Sequence, residues 1–314
     1  PLYLLTLSFG SFDAISIPAR HALTPLVVER IRLPRLVAAA ASTRVISTIV
    51  GPIAAGFLYT VGADLAYVVV LVLFAASVPP LLGITYAVEP TRLTDRPSVT
   101  LAFQGLRFIR KTPLVLGVIS LDMIAVLFGG AVALIPVIAE ERLGVGDIAY
   151  GWLVAAPGIG AALTGLVLSR MPVTRRVGPT LLFVVGVFGA FHVTLGITTN
   201  YVVAFASLMA AAGADMVSMT IRSTLVPLAT PNEQLGRVTA VESVFIGASN
   251  ELGAFESGVA ARWLGVPLAV AGGGVVTVAI AGLFAVFVPA IRNIDTYDEV
   301  GPTVGEPRPA AGAD

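Results

Sequence analysis

The run Asp215–Gly258, DMVSMTIRSTLVPLATPNEQLGRVTAVESVFIGASNELGAFESG, has a second copy in the same chain. It lies without a gap on Asp13–Gly56, DAISIPARHALTPLVVERIRLPRLVAAAASTRVISTIVGPIAAG. Asp13/Asp215, Ser16/Ser218, Arg20/Arg222, Leu23/Leu225, Pro25/Pro227 and Leu26/Leu228 coincide, as do Leu33/Leu235, Arg35/Arg237, Ala38/Ala240, Ser47/Ser249, Gly51/Gly253 and Gly56/Gly258. Shared apolar composition explains matched leucines and alanines, but not an Asp, two Arg, a Pro and two Gly held in register. Each copy reads as an apolar helix, a charged Pro-containing loop and a second apolar helix. A long-period parallel repeat of membrane helices is the mark of a transporter, with its site between the two halves.

Composition agrees. Of 314 residues, 56% are hydrophobic and only 12% charged, with a mean hydropathy of +0.92. A water-soluble core cannot use that much apolar surface, so the chain belongs in a bilayer. The formal net charge is zero and no basic tract exists, which argues against nucleic acid as a partner. Cysteine is absent, and the two histidines, His21 and His192, supply no metal-ligand spacing. No nucleotide-binding, nucleophile–base or metal pattern emerges, so no cofactor, no metal and no enzymatic activity are expected. The glycines of Pro157–Gly165 follow no strand and read as helix-packing positions.

Apolar runs predict nine spans, at about 3–19, 36–60, 65–86, 113–139, 150–169, 179–197, 200–220, 238–262 and 266–289. The predicted divisions are a remnant half at 1–86, a cytoplasmic amphipathic linker at 87–112, a six-helix half at 113–290 and a disordered cytoplasmic tail at 291–314. In the linker, Leu101, Phe108 and Ile109 fall on one helix face and Gln104, Arg107 and Lys111 on another, which suits a helix lying on the anionic leaflet. Copy two occupies the fourth and fifth spans of the second half, whereas copy one occupies the first and second spans of the chain. The expected fold is therefore all-α and polytopic, a 6+6 parallel repeat with three further helices expected before Pro1. Of the 19 basic residues, all but Arg44, Arg142 and Arg262 fall on one side when the loops alternate. The excess of positive charge inside makes that side, and the C-terminus, cytoplasmic.

This architecture resembles the major facilitator superfamily, and the local sequence is similar to its transmembrane secretion effector branch, which exports drugs and siderophores. The runs that carry the resemblance are IPARHALTP at Ile17–Pro25 and GRVTAVESVFIGASNELGAFESG at Gly236–Gly258. GPIAAG, with Gly51, Pro52 and Gly56, resembles the superfamily's Gly-Pro motif on the fifth helix, associated with antiport and efflux. GLVLSRMPVTRRVGP at Gly165–Pro179 resembles a degenerate copy of its short cytoplasmic loop motif, with Ser169 in place of the family's Asp. The resemblance implies proton-coupled efflux of a small amphipathic molecule from a bacterial inner membrane, by a monomer using alternating access. An importer on the same fold, or a membrane scaffold or sensor without transport, stays open.

Charges within spans carry the search for a site, because each costs about 2.5–3.5 kcal/mol at mid-membrane on insertion scales. Asp13 with Arg20, and Asp215 with Arg222, are spaced seven residues apart, about 10 Å along a helix. That spacing suggests that each residue meets a neighbouring helix rather than its mate. Of these repeated charges Arg20 and Arg222, with Arg35 and Arg237, read as structural or gating groups, and Asp13 and Asp215, although the repeat favours a structural part for them, are kept among the coupling candidates. The unrepeated ones read as coupling candidates: Glu242, Glu251 and Glu256, whose counterparts are Ala40, Ile49 and Ala54, together with Asn250, Arg44 and Asp122. Glu242, Ser249 and Glu256 share a stripe with Gly253. A carboxylate in apolar surroundings suits reversible proton loading, and equally suits interhelical hydrogen bonding.

Overall fold

The computed structural model describes residues 10, 12, 33–83 and 99–301. The chain divides into two compact units, Pro1–Arg96 and Pro97–Asp314. In the first, α1 (Leu33–Val61) packs on α2 (Ala63–Leu82) across a turn at Gly62. Their valines, leucines and aromatics are largely exposed, Phe74 and Leu71 among them, while Ala66 is buried. Of the expected span at 3–19, only Gly10 and Phe12 are described, both helical.

The second unit opens with α3 (Val99–Lys111), after which Pro113 starts α4 (Pro113–Gly129). Proline suits that first helical position, where no intrahelical partner awaits its missing N–H. Beyond Gly130 the helix continues through a 3₁₀ turn (Ala131–Leu134), a short helix (Ile135–Val137) and a π-turn (Ile138–Arg142), making a span of 30 residues. Four long helices follow: α5 (Asp147–Arg170), α6 (Val177–Ile197), α7 (Tyr201–Leu228) and α8 (Asn232–Leu264), then α9 (Val266–Phe287). Packing is closest between α6 and α9, between α5 and α7, and between α6 and α7, with α8 seated on α4. Two apolar clusters stack along the bundle. One joins Val115, Leu121, Leu181, Ile221, Leu225 and Val238, and the other joins Leu134, Ile138, Leu153, Leu195, Leu208 and Val270.

Among the described residues, seven helices are long and apolar enough to cross a membrane, α1 (from Ala39), α2, the Pro113–Arg142 span, α5, α6, α7 and α9. The eighth, α8, has the length at 33 residues but is not among the seven, because its glutamates, Asn250 and arginines lower its mean hydropathy. A bundle helix can carry such residues where it faces protein or a polar cavity rather than lipid.

Three expectations change. The charged loop expected between the fourth and fifth spans of this half shrinks to Ala229–Pro231, because α7 runs on through Pro227 in its last turn and α8 begins at Asn232. Arg222 and Arg237 are therefore helical, not loop, residues. The linker does not lay its apolar face on lipid: Phe108 and Ile109 join the protein core, Ile109 at 1% exposure, and α3 belongs to the compact unit it precedes. Finally, the tail is not disordered from residue 291. Pro289–Arg292 is a helical turn and Tyr297–Glu299 a 3₁₀ turn. Ile291 and Ile294 are buried, with Val288, Tyr297 and Val300 packed on the same cluster. These five apolar residues recur every third position, a strap pattern hidden among Pro, Asn and Asp. Residues 302–314 lie outside the described part.

Candidate functional site

Arg222 sits in the last two turns of α7, where its neighbours Ile221, Leu225 and Val226 are buried. A guanidinium in such surroundings must be paired. Its Nη1 lies 2.5 Å from Asp122 Oδ2 on α4, and both side chains are only 9% exposed. Its Nη2 lies 3.7 Å from Asp215 Oδ1, two turns back on its own helix. Its Nε donates to Ser218 Oγ at 3.2 Å. The fork of donors is thus divided among three acceptors, in directions fixed by the planar guanidinium. The expectation that Arg222 meets a neighbouring helix rather than Asp215 is corrected in part: its long side chain reaches Asp215 as well. The expectation of a partner on a neighbouring helix is met by Asp122.

Glu242 on α8 is half-buried and within electrostatic reach of both Arg222 and Asp122. Asp122, Asp215 and Ser218 also line a void of about 10 Å³, closed by Ala125, Val126, Val184, Val185 and Phe188. That is roughly the space of one water molecule. The cluster therefore gathers two paired carboxylates, a third within electrostatic reach, one guanidinium and room for a single small polar guest. Such an arrangement can hold, exchange or hand on a proton; it has no room for an organic substrate.

The other candidates lie elsewhere. Arg237 Nη1 donates to Gln104 Oε1 of α3 at 2.6 Å, fastening α3 to α8. Ser249 and Gly253 form the buried line of α8, and a Cβ on Gly253 would come within 2.9 Å of the Val126 carbonyl oxygen. Only glycine permits that crossing of α8 over α4. Glu256 is half-buried, whereas Asn250 and Glu251 are exposed; Asn250 Nδ2 donates to the Ile246 carbonyl at 3.0 Å. On α1, Arg44 and Gly51 are exposed, Pro52 is half-buried within the helix and Gly56 is buried. Arg44 has no ion pair among the described residues. Asp13, Arg20 and the side chain of Arg35 lie outside the described residues. His192 is buried, with Nδ1 2.9 Å from the Phe188 carbonyl oxygen and its ring against Phe188. The described residues hold no group of His, Cys, Asp or Glu that could bind a metal.

Sequence reasoning passed over Ser218, although its match with Ser16 in the repeat was the available signal. It also missed Asp295. Asp295 Oδ1 accepts from the Arg176 backbone N–H at 3.1 Å, Oδ2 lies 3.6 Å from Arg175 Nη2, and its carbonyl accepts from Val177 at 3.1 Å. The strap thereby satisfies donors at the start of α6 that have no partner within that helix.

Comparison with known proteins places the chain in a family. The profile described as transmembrane secretion effector matches residues 1–307. Enterobactin exporters of Escherichia coli O1:K1 and of Shigella boydii serotype 4 are each 26% identical to the chain over 244 residues. Those matches cover 76% of this chain and 58% of each exporter, so the chain spans little more than half the length of these curated relatives.

Proposed function

The chain belongs to the transmembrane secretion effector family of the major facilitator superfamily, and from that premise we propose that it serves proton-coupled efflux of a small amphipathic molecule across a bacterial cytoplasmic membrane. The family is one of transporters, and the chain is a multi-pass membrane protein. The parallel repeat supports alternating access between two six-helix halves. The relatives it resembles are enterobactin exporters, and efflux of a siderophore-like or drug-like molecule is the corresponding reading here.

One observation carries the coupling assignment. Asp122 and Asp215 both pair with one buried cation, Arg222, and the half-buried Glu242 lies within electrostatic reach of the same group. Three ionised carboxylates against one guanidinium leave excess negative charge inside the membrane, which no second fixed cation offsets among the described residues. Protons are the simplest counterions that fit a one-water void. In this reading Asp122 anchors Arg222, Asp215 and Glu242 exchange protons, and Ser218 orients the guanidinium. Glu256 and Glu251 remain secondary candidates farther along α8.

The test is transport by the full-length protein in proteoliposomes, with Asp215→Asn and Glu242→Gln assayed separately. Gradient-driven efflux should fall at least tenfold in one of the two, while gradient-free exchange of the same substrate persists. Driven efflux at the unsubstituted rate in both would remove the cluster from coupling. Net accumulation into the compartment facing the cytoplasmic loops would assign an importer.

A further inference from the structure

We propose that the outer face of α3, formed by Phe103, Arg107, Arg110 and Lys111, is a docking surface for the headgroups of anionic phospholipids. The proposal rests on membrane topology and not on the transport reading. The face of α3 that carries Phe108 and Ile109 is already spent against the protein core. Gly105 lies on that face too, where an added Cβ would come within 2.7 Å of the Arg237 carbonyl oxygen. Together with the Arg237–Gln104 hydrogen bond, this fixes the rotation of α3 on α8 and decides which side chains look outward.

Those outward side chains share one arc of the helix. Positions 103, 107, 110 and 111 fall on a common face at helical spacing. Arg107, Arg110 and Lys111 are exposed, and among the described residues none of them has an ion pair. Phe103, one turn before Arg107, is 64% exposed, an aromatic ring set beside cations and away from the core. Depth comes from the chain itself: Lys111 is followed by Thr112 and then by Pro113, the first residue of the long α4 span. The cations therefore sit where the chain enters the bilayer, at headgroup level. Unpaired Arg and Lys at that level, with a ring able to reach the acyl boundary, are complementary to a phosphate monoanion carried on an apolar tail. The tail of the lipid meets Phe103, and its phosphate meets the guanidinium groups of Arg107 and Arg110.

The experiment uses the purified chain in a neutral detergent. Phosphatidylglycerol, phosphatidylcholine and inorganic phosphate are titrated separately, with retained lipid counted by native mass spectrometry. Phosphatidylglycerol should be retained in preference to phosphatidylcholine, and inorganic phosphate alone should neither bind nor compete. Neutralising Arg107, Arg110 and Lys111 to Gln together should weaken phosphatidylglycerol binding on the order of 100-fold, at about fivefold per cation. Arg107→Lys with Arg110→Lys should retain most of it, because charge at the surface is kept. Should the triple variant prove unfolded, salt decides: binding by the unsubstituted chain must fall as ionic strength rises. Equal retention of both lipids, full competition by inorganic phosphate, undiminished binding by a folded triple variant, or salt-independent binding would each overturn the proposal.

Discussion

Arg222 shows how one side chain can tie two helices and still leave charge to spare. Its pairing with Asp122 joins α7 to α4 inside the apolar cluster, while Asp215 and Ser218 occupy its remaining donors. A buried ion pair contributes little net stability when intact, but removing one partner leaves an uncompensated charge and costs about 3–5 kcal/mol. Arg222→Leu should therefore lower the thermal unfolding temperature in detergent far more than Ser218→Ala, which loses one hydrogen bond to a charged group at about 1.5–3 kcal/mol. If Arg222→Leu melts with the unsubstituted chain, Asp122 is not the buried partner described here. Ser218 matters in another way: by holding Nε it keeps Nη1 and Nη2 turned towards the two carboxylates.

At the scale of elements, α8 and the strap after α9 both depart from ordinary membrane helices for reasons of packing. α8 keeps one line of small residues, Ser249, Gly253 and Ser257, buried, so its polar residues are left on its other faces. Gly253→Leu should displace α8 from α4 and destabilise the fold by about 1–3 kcal/mol or more through overpacking, read as a lower unfolding temperature; an unchanged temperature would contradict the close crossing. The strap is held by apolar burial first and by Asp295 second. Ile291→Ala should cost about 2–5 kcal/mol, and Asp295→Ala about 0.5–2 kcal/mol as the loss of a helix cap, both measurable by thermal unfolding. Equal effects, or a larger one for Asp295, would reverse that order. Burial pushes the Tyr297 hydroxyl above its ordinary value. The folded strap thus favours the neutral phenol, and its contribution is intact below about pH 10 and lost as pH rises beyond.

For the molecule as a whole, the decisive prediction is topological. The chain has no cysteine, so single cysteines can be read without background. Thr174→Cys in the α5–α6 loop and Gly146→Cys before α5 are both at exposed positions. Thr174→Cys should react with an impermeant maleimide only from the cytoplasmic side, and Gly146→Cys only from outside. The reverse labelling would invert the orientation, place the α3 cations outside and reverse the proposed direction of transport.

The repeat, the membrane class and the positions of most helices were legible in the sequence, because each follows from local properties. Apolar length decides a span, a parallel match in register decides an internal repeat, and the Arg distribution argues for an orientation. Asp122, Asp215, Arg222 and Glu242 could be picked out one by one, since a charge in an apolar run is conspicuous wherever it points. What only the tertiary structure decided was which of them meet. Asp122 and Arg222 are 100 positions apart in sequence, and their 2.5 Å contact depends on the packing of α4 against α7. The same holds for α3 and the strap. An amphipathic pattern shows that a face will be buried but not whether lipid or protein buries it, and here protein does, through Ile109, Ile291 and Ile294. Periodicity is a property of one helix, whereas the partner of a face is a property of the packed bundle.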